Sequence, residues 1–437
     1  MEIAIKAAQF ILSLSFLIVL HELGHYIPAK IFKTRVEKFY LFFDYKFSLF
    51  KKKIGETVYG IGWIPLGGYV KIAGMIDESM DTEQMKKPAQ PWEFRSKPAW
   101  QRLIIMLGGV FVNFLLGILI YIMITFVWGV DYVKPNDVKN GFAVHETFQK
   151  FGFQNGDKII AINGEEPDDV TDVNKHLFLR DVNTISVEHS NGNIETITLP
   201  EDIGDFMWQN GVLEPFQVQF DPVIYVVTED SPAANAGLQQ NDKVLAVNGK
   251  PVKYWNNFSK EVVTSTSDVE LKIERNNTIE NISITPNEDR KIGVGYNPTS
   301  SITVNTKKFS FFESIVKGNS LAIWTLKDYI KQFKYVFTKK GAQSIGGFIA
   351  IGNIFPATWS WKAFWGITAF LSILLGFMNL LPIPALDGGH VMFTLYEMVS
   401  GRKPNDKFLE YAQITGFILL MGLLLLANGN DIIKLFS

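Results

Sequence analysis

Ala7-Ala8-Gln9-Phe10-Ile11-Leu12-Ser13-Leu14-Ser15-Phe16-Leu17-Ile18-Val19-Leu20 runs directly into His21-Glu22-Leu23-Gly24-His25. So apolar a run reads as a helix in a bilayer. Two histidines four apart lie on one face of a helix, so both can hold one Zn²⁺. Glu22 then stands beside the metal, where it can take a proton from water. The competing reading is a pair of helix-surface histidines next to an unrelated glutamate. Ionisable residues in a membrane helix are costly and mostly functional, which favours the zinc reading. With only 6 His in 437 residues, a chance match to this pattern is rare.

The composition agrees with a membrane protein that also has a sizeable aqueous part. The chain is 47% hydrophobic with 35 Phe and 10 Trp, yet 20% of its residues are charged. The net charge of −2 argues against a nucleic-acid partner. There is no cysteine, so a zinc ion must be held by His, Asp or Glu. No small-residue cleavage site follows the first apolar run, so it reads as a retained span rather than a signal peptide.

Hydropathy predicts a polytopic α-helical membrane protein with four transmembrane helices, at 1–30, 103–130, 362–386 and 411–428. The loop 31–102 carries 13 Lys and Arg, and Arg402, Lys403 and Lys407 lie in the connection 387–410. Positive-inside reasoning makes both regions cytoplasmic. The termini and the segment from Asp131 to Trp361 then lie outside the cytoplasm, and His21 and His25 fall at the cytoplasmic end of the first span. The stretch 305–341 mixes Phe311, Phe312, Trp324, Phe333 and Phe337 with lysines. It suits amphipathic helices on the membrane surface, or two helices packed on the domain before them.

The segment between the second and third spans contains a repeat. Gly152-Phe153-Gln154-Asn155-Gly156-Asp157-Lys158-Ile159-Ile160-Ala161-Ile162-Asn163-Gly164 aligns with Gly237-Leu238-Gln239-Gln240-Asn241-Asp242-Lys243-Val244-Leu245-Ala246-Val247-Asn248-Gly249. Each copy reads as a turn, a strand and an Asn-Gly turn. The pattern resembles PDZ domains, which predicts two β-rich PDZ-like domains at 131–200 and 221–290. Such domains take peptides by strand addition, or serve only as spacers or steric plugs.

A catalytic zinc takes three protein ligands and one open position. Asn379-Leu380-Leu381-Pro382-Ile383-Pro384-Ala385-Leu386-Asp387-Gly388-Gly389-His390 supplies the third, at the cytoplasmic end of the third span. Two prolines break the helix there, and broken backbone at membrane depth belongs beside a cavity. Asp387 is the expected ligand. His390 is its competitor, and a helix cap is the alternative role for Asp387.

His-Glu-x-x-His in the first span, Leu-Asp-Gly-Gly-His after the third and the PDZ-like pair between them resemble the site-2 protease family of intramembrane zinc metalloproteases, specifically its bacterial regulator-of-sigma-E type. The resemblance covers essentially the whole chain. It implies Zn²⁺ on His21, His25 and Asp387, Glu22 as catalytic base and Asn379 as a substrate-holding residue. It also implies a bacterial inner-membrane protein with periplasmic PDZ-like domains, acting in the bilayer on single-span membrane proteins such as trimmed anti-sigma factors or remnant signal peptides. A catalytically silent homologue that binds membrane helices is the alternative. The second span departs from the family pattern Gly-Pro-x-x-Asn, reading Gly109-Val110-Phe111-Val112-Asn113. Gly109, Asn113 and Gly117 still form a small and polar stripe suited to close helix packing.

Helical substrates hide their carbonyls, so they must unwind or extend before cutting. The stretch from Tyr59 to Ile72 is apolar, glycine-rich and β-prone. It predicts a membrane-associated β-hairpin, with Gly67, Gly68 and Tyr69 pairing with the substrate or merely sealing the cavity. The PDZ-like pair predicts a size filter that refuses bulky extracytoplasmic regions. Deleting 131–290 should then permit cutting of untrimmed substrates in a reporter assay; unchanged selectivity would remove the filter.

Overall fold

The computed structural model describes residues 2–75, 88–297 and 300–436. The chain divides into two compact units, Met1–Gly129 with Lys308–Ser437, and Val130–Lys307.

The first unit is built on helices α1 (Glu2–Ile31), α2 (Ala99–Val127), α3 (Phe311–Phe333), α4 (Trp361–Leu380), α5 (Asp387–Ser400) and α6 (Asp406–Phe436). Among the described residues, α1, α2, α4 and α6 are long and apolar enough to cross a membrane. With the β-rich remainder, this is the build of a polytopic membrane protein. The third long helix ends at Leu380, short of the expected 386. Pro382 and Pro384 have no backbone N–H to donate to a continuing helix. The last one runs beyond 411–428 in both directions.

Small and hydroxylated residues hold these helices together, as expected where burial in lipid supplies no drive for association. A side chain on Gly24 would collide with the carbonyl of Gly108, and one on Gly108 with that of Gly24. The backbones of α1 and α2 therefore touch at the motif itself. Ser13 and Thr368 share a buried hydroxyl–hydroxyl hydrogen bond of 2.9 Å between α1 and α4. The Ser372 hydroxyl donates to the Asn113 carbonyl at 2.7 Å, tying α4 to α2. α3 uses its amphipathicity for packing as well. Gly318 sits against the Ile122 backbone, and Tyr329 packs edge-on against Phe370 and Phe377. Its other face leaves Phe312 and Val316 exposed.

The loop after α1 corrects the hairpin reading. It forms a four-stranded sheet of β1 (Val36–Phe43), β2 (Phe50–Ile54), β3 (Thr57–Ile61) and β4 (Ile64–Ile72), in the order β2-β3-β1-β4. β3 runs parallel to β1 and β4 antiparallel to it, so β3 and β4 flank β1 instead of pairing with each other. Gly62 explains the difference. The chain crosses the end of β1 there, with Gly62 N–H donating to the Leu41 carbonyl at 2.8 Å. A side chain at Gly62 would strike the carbonyls of Phe42 and Phe43.

In the second unit the sequence repeat becomes a repeated structure. Asp157 Oδ2 accepts the Gln154 N–H at 2.8 Å, and Asp242 Oδ2 accepts the Gln239 N–H at 2.8 Å. Asn163 and Asn248 both have left-handed φ, of 52° and 50°, and each is followed by a glycine of positive φ. Their side chains accept N–H groups at 2.8 Å, from Asn183 just before the next strand and from Glu270 within it. Strands at Lys158–Ile162, Thr184–Glu188 and Ile194–Thr198 form the first main sheet, and those at Lys243–Val247, Val269–Arg275 and Thr278–Ile284 carry the second. Each core extends past the expected boundary: Ile203, Met207 and Phe216 complete the first, and Ile292 the second. His189 is buried between Asp157 and Glu195, at 2.7 and 3.0 Å. Those two hydrogen bonds hold the imidazole above its usual pKa.

Candidate metal centre

α1 places His21 and His25 one turn apart, and the start of α5 places Asp387 against both. His21 Nε2 and His25 Nε2 lie 3.2 Å apart. Asp387 Oδ2 lies 3.3 Å from the first and 3.2 Å from the second. A tetrahedral zinc with bonds of about 2.0–2.1 Å sets its donors about 3.3–3.4 Å apart. The triangle thus has the dimensions of three corners around one such ion. It is the one His/Asp/Glu cluster among the described residues able to hold a metal. Asp387 Oδ2 is buried without a hydrogen-bond partner among the described residues, and a cation would satisfy that orphaned oxygen.

The short stretch before α5 is folded against the glycines that open α5 and against α6. Ala385 has a φ of 78°, a conformation costing a non-glycine residue about 1–2 kcal/mol. The Gln413 side chain of α6 holds it by accepting the Ala385 N–H at 3.1 Å. A side chain on Gly388 would meet the carbonyls of Leu380 and Leu381, and one on Gly389 would sit 2.7 Å from Pro384 Cα. Both glycines are required for the loop to fold back over the N-terminus of α5. That fold aims Asp387 at α1.

The imidazoles are held from behind by α2. His25 Nδ1 lies 2.8 Å from the Ile105 carbonyl, which can only accept, so Nδ1 carries the proton and Nε2 is left with a lone pair. His21 Nδ1 lies 3.1 Å from the Asn113 amide. Between them Gly109 leaves room for the rings: a side chain there would strike both, the His21 Cε1 at 2.6 Å.

Glu22 is buried beside this cluster. A Cβ on Gly68 would lie 3.7 Å from the Glu22 Cγ and 2.5 Å from the Ile18 Cγ2. β4 is an edge strand, and it runs past the glutamate at Gly68. Tyr69 does not join the cluster. Its side chain points to the opposite face of the pleat, stacks on Tyr40 and donates to Asp44 Oδ1 at 2.7 Å. Burial pushes the Asp44 carboxyl up, but hydrogen bonding from Tyr69 and the charge of Lys38 outweigh it and hold the group below its usual pKa. Gly67 lies on the same strand, and Asn379 is half-buried in the last turn of α4. His390 is not in the cluster; it lines a separate cavity with Arg102, Glu397 and Gln413.

The α2 contacts were missed by sequence reasoning, which read Gly109 and Asn113 as packing residues. Their spacing of four, in register with Ile105, was the signal that one face of α2 meets a single feature.

The model of peptidase family M50 matches residues 9–423. Over 453 residues the chain is 30% identical to the regulator of sigma E protease of Haemophilus influenzae, covering 98% of each. It is 28% identical to the regulator of sigma-E protease RseP of Escherichia coli, again covering 98% of each. It is 27% identical to a protein of Campylobacter jejuni named as a zinc metalloprotease, covering 99% of this chain and 95% of the relative.

Proposed function

Because this chain belongs to peptidase family M50, we propose that it cuts peptide bonds within the membrane-spanning segments of single-span proteins. It is a zinc metalloprotease by that membership. We read it as a multi-pass protein of the bacterial inner membrane, with 131–361 outside the cytoplasm and two PDZ-like domains within that segment. Trimmed anti-sigma factors and remnant signal peptides are the substrate class we propose. The observation that carries this reading is the triangle of His21, His25 and Asp387, built on helices of membrane length.

In this reading His21, His25 and Asp387 would hold the zinc ion. Bound there, zinc supplies a Lewis acid that polarises a carbonyl and makes water acidic enough to lose a proton near neutral pH. Glu22 would take a proton from the attacking water and return it to the leaving amine. The free edge of β4 takes an extended substrate as an added strand, which brings its backbone past Glu22 at Gly68. Asn379 donates its amide to the substrate backbone or to the charge that develops on the carbonyl.

The test uses the purified chain in lipid vesicles with a tagged single-span reporter. Fragment masses should place the cut inside the apolar segment. A chelator should stop the reaction, and added zinc should restore it. Cuts confined to the aqueous flanks would overturn the intramembrane reading.

A further inference from the structure

Resting on the reading of His21 as a zinc ligand, we propose that Asn113 is a positioning residue that fixes the His21 tautomer for metal binding. Asn113 is fully buried in α2, and its carbonyl is anchored by the Ser372 hydroxyl at 2.7 Å. Its side-chain Nδ2 lies 3.1 Å from His21 Nδ1, and the two ends of an amide are told apart only by the hydrogen bonds they make. An imidazole whose Nε2 lone pair points into the cluster carries its proton on Nδ1. The group beside Nδ1 must then accept. Asn113 meets that need when its amide is turned so that Oδ1 faces the ring. The same half-turn gives a donor to Oδ1, which otherwise is buried without a partner among the described residues. One rotation gives the ring its acceptor and Oδ1 its donor.

The other histidine strengthens the assignment. The Ile105 carbonyl imposes the same tautomer on His25 from one helical turn on the far side of Gly109. Ile105, Gly109 and Asn113 are spaced by four, so one stripe of α2 carries the Ile105 carbonyl, a gap and the Asn113 amide, which becomes a second acceptor once turned. Partners behind a metal-binding imidazole raise its basicity and lock its orientation, and losing one typically weakens binding about 10–100-fold. Close packing alone calls for small residues at these positions, as Gly109 and Gly117 are; it gives no reason for a buried amide with an unsatisfied oxygen.

The test is zinc affinity of the full-length chain in detergent, by competition with a chromophoric chelator. The thermal midpoint of each metal-stripped protein is measured beside it. Asn113→Leu fills the space but cannot accept, and should bind zinc about 10–100-fold more weakly. Asn113→Asp restores an acceptor and should stay close to the parent. If the two variants bind zinc equally, whether tightly or weakly, the proposal is overturned, since the side chains are close in size and only aspartate can accept from the ring. An unchanged metal-stripped midpoint in Asn113→Leu assigns its loss to the ring rather than to packing. His21→Ala tells the two readings apart. Zinc held as tightly without His21 overturns the site itself, whereas loss with His21→Ala but not with Asn113→Leu overturns only the role of α2.

Discussion

Replacing Glu22 by glutamine should abolish cleavage of a single-span reporter while the protein keeps its zinc. Glutamine has the shape of glutamate and fills the same buried place between α1 and β4. It cannot accept a proton at neutral pH. Removal of a positioned general base typically costs about 10²–10⁴ in rate, and the assay reads that loss as fragment formed per unit time. Zinc content, measured on the same preparation, should be that of the parent, because His21, His25 and Asp387 are untouched. The two readouts together separate chemistry from assembly. A variant that still cuts at the parental rate would remove Glu22 from the mechanism. A variant that loses zinc as well would make Glu22 a structural support for the site.

The parts of this molecule visible in its sequence are those carried by local pattern. Apolar runs locate the four long helices. The His-Glu-x-x-His spacing puts two imidazoles on one helix face before any fold is known. Asp387 could be found because its surroundings, Pro382 and Pro384 before it and two glycines after it, are strange for a membrane helix. What each glycine does was not visible. Gly388 and Gly389 matter because the carbonyls of Leu380, Leu381 and Ile383 pass close to them, a contact that exists only after the loop has folded. The sheet was misjudged for a related reason. Tyr59 to Ile72 has the composition of a hairpin, but β1 lies between its two strands, and composition does not encode the crossing at Gly62. The ends of the repeated domains were misplaced because Phe216 and Ile292 complete cores from beyond the repeating segment.

Removing Asp387 tests whether distant segments of the chain share one ion. Asp387→Ala deletes one corner of a triangle whose other corners are both imidazoles 3.2–3.3 Å away. Losing a direct ligand should cost more than losing a partner behind one, so zinc affinity should fall by more than about 100-fold. Cleavage should vanish with it. The loss also has a signature independent of activity. A ligand that binds only the folded state stabilises it by about 2.7 kcal/mol at a free concentration 100 times its dissociation constant. Zinc should therefore raise the unfolding temperature of the metal-stripped parent and leave that of Asp387→Ala nearly unmoved. His390→Ala is the control, since His390 lines another cavity and should leave both zinc affinity and the thermal response intact. If instead His390→Ala loses the ion and Asp387→Ala keeps it, the third ligand has been misassigned and the loop before α5 must fold differently around the metal.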